Sequence, residues 1–247
     1  LGLAVSLTAW ASDVSPNRAE PSLSPRERLL SRFPGLSPHE TDGRIRAFYG
    51  KPMTAGATAT EAIDAFWGAF SDSFGVPGLQ LITRSIHSSN ADKFTIGMYQ
   101  QQMAGLPVEY SIGRILVNNW IGRVTYVAGI FVQPPTNGSF ELMTLPAEDA
   151  VAWVGSLDEY KHFTEWTAPE LVVYGGLPEE MGPGGFGDPV RAWKFTGGTA
   201  DLSNPERLTF FVDAADGRLV ATRNEILHTD VSGTVRGMAT PGTLADS

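Results

Sequence analysis

Apolar residues recur along this chain with two different periods, and turn-forming residues mark where the period changes. Thr58-Ala-Thr-Glu61 has the form of a capping box, in which the hydroxyl takes an orphan backbone N–H and the carboxylate reaches back. Ile63, Phe66, Trp67, Phe70 and Phe74 follow at helical spacing and predict one aromatic stripe for a core. Gly75 and Pro77 stop that helix. A strand is predicted before it, at Arg44 to Tyr49, and four after it: Leu79 to Ile86, Phe94 to Met103, Leu106 to Val117 and Arg123 to Val132. Ser88-Ser-Asn90, Ala104-Gly105 and Asn118-Asn119 supply the turns. Pro134-Pro135 ends the meander, and Thr136-Asn-Gly138 reads as a loop.

The second half repeats the plan. Leu145-Pro-Ala-Glu-Asp149 predicts a helix with Pro in its first turn and acids at the positive end of its dipole, and Ala150, Val151 and Val154 form its inner face. A polar, aromatic-rich stretch runs from Asp158 to Pro169. Strands are expected at Leu171 to Tyr174, Val190 to Thr196, Leu208 to Val212 and Leu219 to Ile226, with a hairpin turn at Asp213 to Gly217. A further strand is expected at Val231 to Met238. The fold class is therefore α+β: two small domains, each an antiparallel sheet packed against one main helix.

Five segments follow from this pattern. Residues 1–11 are apolar, end in Ala9-Trp10-Ala11 and are followed by Ser12-Asp13, the form of the remainder of a signal peptide. The same stretch alternates Leu1, Leu3, Val5 and Leu7 with Gly2, Ala4, Ser6 and Thr8, which is also how a donated strand is written. Residues 12–43, rich in Ser and Pro, read as a linker with one helical turn around Arg26 to Arg32. Domains are expected over 44–135 and 136–228, and residues 229–247 read as a connector to a further module. Gly182-Pro-Gly-Gly-Phe-Gly187 lacks the ending of a phosphate loop and reads as a surface loop.

Composition narrows the function. The 247 residues carry 27 Asp and Glu against 18 Lys and Arg, a net charge of −9, with no basic run that could track phosphates; no nucleic-acid partner is expected. No stretch reaches the ~18 apolar residues of a membrane span. Cysteine is absent, which removes disulfides, thiolate metal sites and a cysteine nucleophile. That suits a bacterial cytoplasm or an exported protein alike; the N-terminal stretch favours a secreted or extracytoplasmic one.

Candidate chemistry is sparse. A zinc peptidase helix needs His-Glu-x-x-His, because ligands four residues apart share a face. His39-Glu40 begins that pattern but position 43 is Gly, and His162 has Glu165 without a second His. His87 and His228 stand alone. Neither Gly-x-Ser-x-Gly nor Ser-x-x-Lys occurs. The acid pairs Glu148-Asp149 and Glu179-Glu180 fall at a helix start and in a loop, where solvated charge is the default. No catalytic, cofactor-binding or metal residue is assigned, and a non-enzymatic role is expected.

The first half resembles the fungalysin/thermolysin propeptide (FTP) domain. Phe74-Gly75 ends a helix, Tyr99-Gln100-Gln101 leads through Gly105 into Leu106-Pro107-Val108, and Gly122-Arg-Val-Thr-Tyr-Val-Ala-Gly129 closes the meander. The second half is similar to a PepSY-type domain: a helix opened by Pro-Ala-Glu-Asp, the strand Arg191-Ala-Trp-Lys-Phe195, and Phe211-Val-Asp-Ala-Ala-Asp-Gly217 turning into Leu219 to Asn224. The resemblance implies a prosegment of a secreted thermolysin- or fungalysin-like zinc metalloendopeptidase, acting as intramolecular chaperone and inhibitor and later removed by proteolysis. Its partner would be the cognate catalytic domain, and zinc would belong to that domain alone. The alternatives are an extracellular filament subunit assembling by N-terminal strand donation and a hydrolase with a scattered site.

Overall fold

The computed structural model describes residues 23–41, 43–89, 92–176, 187–200 and 205–226. The expectations for residues 1–11, for the loop at 182–186, for Glu179-Glu180, for His228 and for the strand and connector beyond it lie outside these. The described residues form a mixed α+β fold with three α-helices and two antiparallel sheets. They divide into two compact units. One contains the described residues up to Gln101 together with Ile112–Phe131; the other contains Gln102–Ser111 together with the described residues from Val132 onward.

In the first unit the strand order is β1-β2-β7-β6-β4-β3, with β1 Ser37–Thr41, β2 Arg44–Tyr49, β3 Gln80–Ser89, β4 Phe94–Met103, β6 Ile112–Asn118 and β7 Arg123–Ile130. One face is covered by α2, Ala59–Phe70, and by α1, Pro25–Arg32. The expected aromatic stripe is this core. Ile63 and Phe66 are wholly buried, Phe74 nearly so, and Trp67 and Phe70 pack against them. Trp67 meets Tyr99 edge-on at 5.5 Å and Phe74 meets Phe131 at 5.2 Å. Each such burial contributes about 2–3 kcal/mol, so the stripe fixes which face of the sheet the helix covers. Thr58 caps α2 as expected, accepting from the Glu61 N–H at 3.2 Å. The Glu61 carboxylate instead takes the N–H of Ala57, one residue earlier than a capping box requires. A 3-10 turn, Ser71–Phe74, extends the helix, and Gly75 at φ +77° closes it in the left-handed conformation that Gly adopts without steric cost.

Residues 25 to 41, expected within a linker, are ordered structure. Ser24 and Glu27 form a full capping box around Pro25, giving two turns where one was expected. Buried Leu29 anchors α1, Arg28 pairs with Asp72 at 2.6 Å, and the Ser73 hydroxyl donates to the Pro25 carbonyl. Strand β1 lies along the sheet edge with Pro38 in it, as the missing N–H allows.

The strand expected over Leu106 to Val117 divides in two. Ala104 and Gly105, both at positive φ, turn β4 back into β5, Leu106–Pro107. The chain then leaves that sheet. Val108 bridges Val173, the Glu109 N–H donates to the Val173 carbonyl at 2.8 Å, and Tyr110 at φ +57° redirects the backbone into β6.

The second unit has strands β8 Glu165–Trp166, β9 Glu170–Tyr174, β10 Val190–Gly198, β11 Arg207–Asp213 and β12 Leu219–Asn224. Their order is β12-β11-β10-β8, with β9 also paired to β10. Helix α3, Ala147–Ser156, begins after Pro146, which is its N-cap and not a first-turn residue. Ala150 and Val154 pack with Phe195, Phe210 and Val212 on one face. Tyr160, Phe163 and Trp166, from the stretch expected to be polar, complete that core, with Tyr160 at 4.9 Å from Phe210. The opposite face, with Val172, Tyr174, Ala192 and Phe211, receives Tyr110.

Candidate binding surface

The residues with candidate chemistry do not converge. His39 lies on β1 and His87 on β3, both exposed. His162 follows α3, with Nε2 2.7 Å from the Glu206 carboxylate. Among the described residues no three His, Asp or Glu side chains are grouped to hold a metal ion. Glu148 and Asp149 occupy the first turn of α3, where the helix dipole favours them.

Two cavities among the described residues of the second unit bear on function. One, about 150 Å³, lies between the β11–β12 turn and residues 135–141. Its charges are engaged structurally: Asp188 accepts from the Thr136 N–H and hydroxyl, Asp213 accepts from the Ala215 N–H, and Arg191 donates to the Glu141 carbonyl and lies over Phe140. The other, about 420 Å³, is beside β8 and is lined by Trp166, Thr167, Gly197, Gly198, Glu206 and Arg207 among others. Neither described lining includes a histidine or a lysine.

The arm of residues 102–111 is held by both packing and charge. Tyr110 stacks edge-on to Phe211 at 5.9 Å and to Tyr174 at 6.4 Å, with the Arg223 guanidinium over its ring at 5.1 Å. Burial raises the Tyr110 phenol above its ordinary range, partly offset by the hydrogen bond and charge of Arg223. Glu109 pairs with Lys194 at 3.0 Å and is mostly buried. Sequence reading missed this arm. Its only local sign is the Ala104-Gly105 turn, and what it docks against, from Val173 to Arg223, lies far along the chain.

An apolar surface row lies in the first unit. Tyr49 pairs with Tyr126, Tyr126 with Leu116, and Leu116 with Ile96, so the four form one row across β2, β7, β6 and β4. This row lies on the face opposite Phe48, Ile115 and Val127, which meet the helices. Tyr49, Tyr126 and Ile96 are 44%, 39% and 36% exposed. The sequence did contain a signal for it. Phe94, Ile96 and Met98 are apolar at the positions between the core-facing residues, the pattern of a strand wanting cover on both faces.

No family model and no curated protein matches the chain. Among solved structures it is similar to the Bacillus megaterium YpeB C-terminal domain, at 10% identity and a TM-score of 0.33, over 76% of this chain and 75% of that one.

Proposed function

We propose that this chain is a non-catalytic, PepSY-type regulatory module: the prosegment of a secreted zinc metalloendopeptidase, which it helps to fold and holds inactive. One observation carries the reading, namely the ordered set of motifs that resemble those of FTP and PepSY-type domains. The motifs occupy the turns and central strands of the two units: Phe74-Gly75 at the helix stop, Tyr99-Gln100-Gln101 in β4, Arg191 to Phe195 in β10 and Asp213 to Gly217 in the last hairpin turn. The mechanism is mass action. A segment that binds the native peptidase and not its unfolded chain stabilises the native form, and covalent linkage raises its effective concentration until the linkage is cut.

The test is an inhibition assay. The purified chain is added to a panel of thermolysin-like endopeptidases at increasing molar ratio, and cleavage of a peptide substrate is followed. Saturable loss of activity in at least one enzyme is expected. Undiminished activity across the panel overturns the reading.

A further inference from the structure

The first sheet contains Arg44, Arg46, Arg84, Arg114 and Arg123 against one acidic residue, Glu40 on the edge strand β1, which pairs with Arg26, in a chain of net charge −9. Arg114 stands two residues from Leu116 in β6, on the same open face, opposite Met98 and Ala128. It is exposed, and no described carboxylate pairs with it. The open face therefore combines an apolar row with the exposed guanidinium of Arg114.

A sheet with one face covered by helices and apolar residues on the other is completed by a further layer. The row Tyr49–Tyr126–Leu116–Ile96 crosses four strands, about 14 Å at ordinary strand spacing. A helix of about ten residues has that length. Charge decides what kind of helix. A second copy of this face would set Arg114 against like charge, whereas a helix with Asp or Glu beside its apolar stripe would meet it with opposite charge. We propose that the open face of the first sheet docks an acidic amphipathic helix of another protein. This stands whether or not that protein is a peptidase.

Two synthetic helical peptides test it, one with a leucine stripe flanked by glutamates and the other by lysines. Binding to the 247-residue chain is measured by fluorescence anisotropy. The glutamate peptide is expected to bind at least about tenfold more tightly than the lysine peptide. Arg114→Glu should abolish that preference, and Leu116→Glu should weaken the glutamate peptide by at least about tenfold. Arg114 is exposed, so its variant tests the idea even if Leu116→Glu disturbs folding. Failure of the glutamate peptide to bind, equal affinity for both peptides, or unchanged preference in Arg114→Glu overturns the proposal. So does a dimer in light scattering that Leu116→Glu dissolves, which would give the face to a second copy.

Discussion

Gly129 shows how closely single residues are specified. A Cβ there would lie 2.1 Å from the Phe131 ring, and one at neighbouring Gly113 would lie 3.2 Å from it. Gly113 and Gly129 are cross-strand partners, and Tyr99 pairs with Gly113, so the missing side chains make the space that Phe131 and Tyr99 fill. Gly129→Ala should therefore destabilise the first unit by about 1–3 kcal/mol through overpacking, read as a lower urea midpoint with unchanged slope. Gly138, with nothing within 4 Å of its Cβ position, has no such packing constraint.

At the level of elements, the arm of residues 102–111 is the least local feature of the fold. Its ring contacts come from Tyr110 alone, and its ion pair from Glu109. Tyr110→Ala should leave the β4–β5 turn intact, because Ala104 and Gly105 form it. It should release the remainder of the arm. The expected outcome is faster hydrogen exchange and limited proteolysis within residues 106–111, with a stability loss of about 2 kcal/mol. Unchanged protection there would mean that the Val108 and Glu109 backbone bonds to Val173 hold the arm by themselves.

For the whole molecule, three phenols among the described residues shape the response to alkali: Tyr160, raised by burial, and more centrally Tyr99 and Tyr110. Burial raises Tyr99, with the Asp64 charge adding to it and hydrogen bonds with Thr83 and Trp67 opposing it. Burial likewise raises Tyr110. In the folded chain both keep their protons at a pH where the unfolded chain has lost them. Unfolding then releases protons, and rising pH favours it. The contribution is complete below the ordinary phenol value of about 10 and is lost as pH climbs beyond it. Melting temperature should fall as pH rises above about 10, and the Tyr99→Phe, Tyr110→Phe double variant should show a flatter profile there.

The chain's local patterns foretold most of this architecture. The helix from Thr58, the extent of β4, the α3 helix and the strands of the second sheet other than β8 follow from periodicity and turn residues, because each depends on neighbours a few positions away. The capping box at Ser24 was equally local, but its Pro-rich surroundings disguised it as a linker. Three features depended on the folded chain. Tyr160, Phe163 and Trp166 are core residues because Phe210 is there to receive them. Residues 108–111 leave their strand and meet Val173 and Phe211, which lie far along the chain from the residues they contact. The open apolar row exists only once four strands are in register. Periodicity determines which face of an element is apolar; what meets that face is decided by long-range pairing, which no short stretch of sequence encodes.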